Sequence, residues 1–253
     1  SVLDGMYLGD SPGNFGQISF YDAARGECYR DFGDPIGVAS RVLIQGLFGI
    51  LPDALNQQII LRPGFPDDWD KASVSTPDIS YRFTRKEDTD TYHITQRFQT
   101  PLHPVLHVNA RKEKIRSVKV NGVPATWQSI ESAHGYPLLS IQAEGTSSTT
   151  ITIEWEGASL HTLAVQEPVI TSNGKLALQI PSGASISQVY DPQSVLANHT
   201  VEATAFNAQI KGEPGHHTFF VYTHQGEMDW WQPVNIYIEN VWESPSYTDF
   251  ADI

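Results

Sequence analysis

Apolar positions along the chain follow two periodicities that change over near residue 56. Across 34–51 they recur at helical spacing, with Ile36, Ala39, Leu43, Leu47 and Ile50 on one stripe and Val38 and Val42 widening it. Asp34 offers a side-chain acceptor for an N-cap, and Pro35 suits the first helical position, where its missing N–H would be unpaired anyway. Pro52 ends the helix. So wide a stripe predicts a helix buried on most sides, which needs other helices around it. No further helical periodicity follows.

From Gln58 onward the period shortens to that of strands. Ile59-Ile60-Leu61 precede Arg62-Pro63-Gly64, and Ile79, Tyr81 and Phe83 alternate with polar residues, as do Tyr92, Ile94 and Phe98. Val105 to Val108 follow, then Ile115 to Val120 closed by an Asn121-Gly122 turn, then Leu138 to Ala143 and Thr149 to Trp155. A second β set is Val169-Ile170, Leu176 to Ile180, Ile186 to Tyr190, Val201 to Ile210, Thr218 to Thr223 and Val234 to Ile238. Short strands at regular spacing predict a mainly β chain of one or two antiparallel β-sandwiches. Three regions are expected: 1–56, a Gly-rich loop plus the helix; 57–156, a β-sandwich; and 157–253, a second β-rich region with an irregular tail. Gly157-Ala158-Ser159 marks the second boundary.

The composition is that of a globular protein, with 40% hydrophobic and 18% charged residues. A net charge of −13 and the lack of any dense Lys/Arg run argue against nucleic acid and anionic membrane as partners. Arg111, Lys112, Lys114 and Arg116 alternate with Glu113 and strand formers, which reads as a solvated strand edge. No apolar run approaches the roughly 20 residues of a membrane-spanning helix, so membrane insertion is not expected. Cys28 is the single cysteine, which excludes an intrachain disulfide and a cysteine-based zinc site. The histidines show no metal-binding spacing, and no phosphate loop or nucleophile elbow occurs. No metal and no cofactor is expected.

Three runs carry a family resemblance: Gly37-Val38-Ala39-Ser40-Arg41 through Leu47-Phe48-Gly49-Ile50-Leu51-Pro52-Asp53-Ala54-Leu55, then Ile60-Leu61-Arg62-Pro63-Gly64-Phe65-Pro66, then Trp69-Asp70-Lys71-Ala72-Ser73-Val74. Together they resemble the barrel exit of α-L-rhamnosidase-like glycosidases, and most closely an uncharacterised bacterial branch of those six-hairpin enzymes. The resemblance implies that the helix is the last of an (α/α)6 barrel whose remainder lies upstream in the same polypeptide, and that the barrel runs into a C-terminal β-sandwich. It further implies glycosidic bond hydrolysis by the whole protein, a carbohydrate ligand, and a periplasmic or secreted location.

Glycoside hydrolysis uses two carboxyl groups, an acid and a base or nucleophile. By the resemblance, the acid sits in upstream sequence and the base is a Glu in a loop before the last helices, a place that Glu27 occupies. Gly26 stands where the family has a Trp. A surface carboxylate paired to Arg25 or Arg30 is the alternative reading of Glu27. Tyr21, Asp22 and Arg25 are candidates for a sugar subsite, where aromatic faces cover C–H surfaces and charged groups bind hydroxyls. Packing between barrel hairpins is the other fate open to the aromatic residues of this segment. Trp230 and Trp231 are consecutive strand residues, so at most one faces a given side. Of the two, Trp230 is the candidate for carbohydrate contact. Two functions follow: a C-terminal piece of a glycoside hydrolase, inactive alone, or a non-catalytic β-sandwich module that binds carbohydrate or supports a neighbouring domain.

Overall fold

A computed structural model describes residues 34–161 and 167–239. The helix is present as α1 (Asp34–Arg41), continued by π-helical turns over Val42–Leu47. It ends earlier than the pattern predicts, because the chain turns through Phe48 and Gly49 and places Pro52 in a strand. The helices that would bury it are expected in upstream sequence, and within this chain part of it stays exposed. Val38, Val42 and Leu43 are 59%, 63% and 46% exposed, and no residue of the π-helical turns is buried. Along the stripe Ala39 and Leu47 are half-buried and Ile50 is buried, which leaves Val38, Val42 and Leu43 as the open part.

Apart from a 3-10 turn at Ala54–Asn56, the described elements after it are strands. In chain order these are β1 (Ile50–Asp53), β2 (Gln58–Leu61), β3 (Lys71–Ser75), β4 (Ile79–Lys86), β5 (Thr89–Gln96), β6 (His103–Asn109), β7 (Lys112–Val120), β8 (Val123–Pro124) and β9 (Gln128–Ser129). There follow β10 (Leu138–Gln142), β11 (Ser148–Ser159), β12 (Val169–Thr171), β13 (Lys175–Gln179), β14 (Ala184–Tyr190), β15 (Leu196–Val201), β16 (Ala205–Ile210), β17 (Gly215–Gln225) and β18 (Met228–Glu239). The mainly β, sandwich-like class expected from the alternation is therefore found. The segment Val201 to Ile210, read as one strand, folds back on itself as the β15–β16 hairpin. The Asn121-Gly122 turn closes β7 onto β8, with both residues at positive φ (50° and 79°).

The strands form four sheets, ordered β1-β2-β6-β10-β9, β3-β4-β5-β11-β7-β8, β12-β18-β17-β14 and β13-β16-β15. Pairing is mostly antiparallel, but β2 with β6 and β12 with β18 run parallel. The chain divides into two compact units that do not follow sequence order. One holds the described residues up to Val108 with Lys119–Ala125 and Ile141–Thr152; the other holds Asn109–Val118, Thr126–Ser140 and the described residues from Ile153. Gly157 lies inside β11, so the chain continues as strand there. A Cβ at that position would lie 2.7 Å from the Glu113 side chain, so glycine serves close approach of Glu113.

The first unit is built around an aromatic cluster. Alternation in β4 and β5 turns Tyr81, Phe83 and Tyr92 to one side, each 4% exposed or less. Phe65 stacks on Tyr81 and Phe83, and Phe48 meets Phe65 edge-on at 5.4 Å. Ile59, Leu61, Leu106 and Ile141 of the five-stranded sheet are completely buried as well. Each such side chain contributes about 1.5–3 kcal/mol of burial free energy.

The second unit contains a two-sheet sandwich. Leu176, Phe206, Ala208 and Ile210 of the three-stranded sheet share a core with Ile186, Phe219, Val221, Val234, Ile236 and Ile238 of the four-stranded sheet. Phe206 and Phe219 stack with centroids 5.5 Å apart. That core fixes the inner face of β17 and β18, and so decides what the outer face carries.

Candidate binding face

The β17–β18 hairpin is paired from Gly215↔Ile238 to Gln225↔Met228. Since Phe219, Val221, Val234, Ile236 and Ile238 point inward, the intervening residues point outward. On β17 these are His216, Thr218, Phe220, Tyr222 and His224; on β18 they are Asp229, Trp231, Pro233, Asn235, Tyr237 and Glu239. Pairing of β14 with β17 sets Gln188 beside Tyr222 and Tyr190 beside Phe220 on the same side. The result is a sheet face on which aromatic rings gather although it is not the core face.

The rings touch one another. Tyr222 and Trp231, directly opposite in register, have centroids 5.0 Å apart at 55°. Tyr190 lies 6.2 Å from Phe220 and 6.4 Å from Trp231, the latter at 69°. Tyr190 is 58% exposed, and Phe220, Tyr222 and Trp231 are half-buried. A loop adds a further ring: the Trp231 N–H donates to the Ala133 carbonyl and the Gly135 N–H donates to the Trp231 carbonyl, at 2.9 and 2.8 Å. These two bonds bridge His134 to Trp231 and bring its imidazole 5.8 Å from the Phe220 ring.

Polar groups surround this stripe. Thr218 donates its hydroxyl to Asn235 Oδ1 at 2.8 Å, and His224 pairs with Asp229 at 2.6 Å. His216 pairs with Glu167 at 2.7 Å and meets Tyr237 edge-on at 4.9 Å. Partial burial raises the Tyr222 phenol above its ordinary pKa, helped by the negative charges of Asp229 and Glu131. The outward positions of β12, β14, β17 and β18 include no lysine and no arginine. The face thus combines apolar ring surface, hydroxyls, amides and negative charge.

Trp230, the candidate for carbohydrate contact, is unavailable for it. It is completely buried, and its indole N–H donates to Gln232 Oε1 at 3.2 Å within the interior. The sequence pair is resolved the other way, with Trp231 outward. The deciding signal is parity: Trp230 shares its side with Val234, Ile236 and Ile238, and Trp231 with Pro233, Asn235 and Tyr237. Tyr190, Phe220, Tyr222 and His134 were not singled out from sequence. Phe220 and Tyr222 were readable by the same parity; Tyr190 and His134 depend on pairing that only the fold supplies. Glu27, Tyr21, Asp22 and Arg25 lie outside the described residues.

The first unit has a cleft of about 300 Å³ lined by Gln58, His103, Val105, Val120, Gln142 and Glu144 among others. The Gly145 N–H donates to His103 Nδ1 at 3.1 Å, which orients the ring. On the same strand, burial and the nearby Arg62 charge lower the His107 pKa. Among the described residues no group of three or more His, Cys, Asp or Glu could hold a metal ion, and no helix is long and apolar enough to cross a membrane.

No protein-family model matches the chain, and no curated protein matches it. It is similar to the N-terminal periplasmic domain of ScsB from Proteus mirabilis at 8% identity and a TM-score of 0.21, over 67% of this chain and 99% of that one. It is also similar to the N-terminal Ig1-2 module of the Drosophila receptor protein tyrosine phosphatase DLAR at 9% identity and a TM-score of 0.21, over 60% of this chain and 91% of that one. At that TM-score neither likeness bears on function. The residues of the chain itself must carry the reading.

Proposed function

We propose that this chain is a non-catalytic, carbohydrate-binding β module that accompanies a glycoside-degrading domain. The observation that supports it is the outward aromatic stripe of Tyr190, Phe220, Tyr222 and Trp231. Pyranose rings have apolar C–H faces and a rim of hydroxyls. Half-exposed Tyr and Trp rings cover the first, while phenol, imidazole and amide groups hydrogen-bond the second. The test is retention of the 253-residue chain on a panel of immobilised polysaccharides, compared with its Trp231→Ala and Trp69→Ala variants. Trp69 is 39% exposed in the other unit, so it controls for loss of any surface indole. Binding that is lost with Trp231 and kept without Trp69 supports the module; binding indifferent to Trp231 removes the stripe from the function.

A second reading has its own observation. The exposed apolar residues Val38, Val42 and Leu43 on α1 and its π-helical continuation offer a surface suited to packing by further helices. In this reading the helix closes an upstream six-hairpin barrel, Glu27 is the catalytic base, Tyr21, Asp22 and Arg25 line the sugar subsite, and the whole protein hydrolyses glycosidic bonds in the periplasm or outside the cell. Hydrolysis of aryl glycosides by the longer polypeptide should vanish in Glu27→Gln while the protein stays folded. Unchanged hydrolysis in that variant would refute the assignment.

A further inference from the structure

The stripe also specifies what kind of carbohydrate fits. We infer that its ligand is a single chain of a soluble, neutral polysaccharide, and neither a crystalline surface nor a uronic-acid polymer; this rests on the carbohydrate-binding reading above. Two independent features carry it.

The first is ring orientation. A flat crystalline surface is matched by aromatic rings lying in one plane, so that all of them make contact at once. Here the Trp231 ring stands at 55° to Tyr222 and at 69° to Tyr190, and the His134 ring at 81° to Phe220. Tyr190 and Phe220 alone approach a common plane, at 30°. Rings splayed in this way present successive faces to a strand that turns about its own axis, as an isolated glycan chain does. A rigid sheet of chains would meet one ring and miss the others.

The second is charge. A uronate or sulfated glycan needs cations to replace the water it gives up. The outward positions of the four strands supply no lysine or arginine, and the carboxylates of Asp229 and Glu167 stand on or beside the face. Partial burial is the main reason the Tyr222 phenol titrates above its ordinary range, and the nearby negative charges of Asp229 and Glu131 add to it. With a net charge of −13 over the whole chain, a polyanion meets repulsion both at long range and at contact. Hydroxyl-bearing neutral sugars meet none, and the paired Thr218–Asn235 and His224–Asp229 groups offer both donors and acceptors to them.

The experiment measures binding of the 253-residue chain to three probes in one buffer: soluble xyloglucan or galactomannan, microcrystalline cellulose, and polygalacturonate. Affinity electrophoresis serves the soluble polymers, and depletion from solution serves the cellulose. The expected result is binding to a neutral soluble polymer, weakened about tenfold or more in Trp231→Ala, with no depletion by cellulose and no retardation by polygalacturonate. Tyr190→Ala repeats the comparison at a 58% exposed position, where misfolding is not a concern. Equal or tighter binding to cellulose or polygalacturonate overturns this inference while leaving a carbohydrate module in place. Failure to bind any of the three, with the chain folded by circular dichroism, overturns the inference and the module reading together.

Discussion

Two aromatic clusters, one in each unit, are built from similar residues and are put to opposite uses. In the first unit, Phe65 lies at 22° to Tyr81 and 25° to Phe83, and Tyr81 at 13° to Tyr92, so ring covers ring and little face remains open. Tyr81, Phe83 and Tyr92 are nearly inaccessible. In the second unit, Tyr190, Phe220, Tyr222 and Trp231 meet at 30° to 69° and remain partly exposed. A stacked cluster satisfies its own dispersion and hydrophobic demand; a splayed one on an outer sheet face leaves that demand for a ligand. The difference is not one of composition. It lies in which side of the sheet the rings occupy, and that side is set by the inward residues of the same strands.

The largest expected effect separates two adjacent residues of β18. Trp230→Ala removes a completely buried indole and leaves a cavity, and should lower stability by about 3–5 kcal/mol in denaturant unfolding. Trp231→Ala loses ring contacts with Tyr222 and Tyr190 on a partly exposed face and should lower it by about 1 kcal/mol. Similar losses in the two variants would erase the distinction between a core ring and a binding ring.

That pair also shows how far the sequence reaches. Alternation placed the strands, because a half-buried strand must repeat with period two, and β4, β5, β11 and β17 stand where the apolar residues alternate. It also held the phase that puts Trp230 inside, through Val234, Ile236 and Ile238. Tyr190 and His134 were hidden because they reach Trp231 and Phe220 through strand pairing and a loop bridge across more than 30 residues of chain, a relation that no local pattern encodes. The helical stripe is a different case. Its residues up to Leu47 are helical and Ile50 is not; amphipathicity names a face and not its occupant, and Val38, Val42 and Leu43 stay exposed.

Charge anchors the buried cluster and offers the next test. Asp90, 1% exposed, takes a forked pair of hydrogen bonds from Arg85 at 2.9 and 3.3 Å. The guanidinium lies 5.2 Å from the centre of the Phe83 ring. Partial burial alone would depress the Arg85 pKa, but the hydrogen bond and charge of Asp90 raise it overall. Asp90→Ala should strip that guanidinium of its counter-charge and cost about 3 kcal/mol, read as a fall in the thermal midpoint. A loss below about 1 kcal/mol would mean the pair behaves as a solvated surface ion pair and does not hold the cluster.

Backbone geometry delivers Phe48 to the same cluster. Gly49 has φ +65°, its carbonyl accepts the Arg62 N–H at 2.9 Å, and a Cβ on it would fall 1.9 Å from the Arg62 carbonyl oxygen. Gly49→Ala should therefore cost about 2 kcal/mol or more, with the near-ultraviolet circular dichroism of the stacked rings reduced. A stable variant with unchanged aromatic signal would show that Phe48 docks without this turn.

The smallest expected change is the most discriminating for the buried cluster. The Tyr81 hydroxyl is inaccessible and has no hydrogen-bond partner among the described residues, and burial, with Tyr92 beside it, raises its pKa well above the usual phenol range. A buried hydroxyl without a partner forfeits the hydration it had in the unfolded chain, a penalty of about 1–3 kcal/mol. Tyr81→Phe keeps the ring and its stacking on Phe65 and Tyr92 while deleting the unpaired oxygen, so stability should hold or rise by up to about 1 kcal/mol. The matching change on the outer face, Tyr222→Phe, removes a hydroxyl beside Asp229 and Glu131 that a glycan can use; it should leave stability within about 0.5 kcal/mol and weaken polysaccharide retention. If instead Tyr81→Phe destabilises the chain and Tyr222→Phe leaves binding intact, the hydroxyls serve the buried cluster and not the exposed one, and the division of labour drawn between the two is reversed.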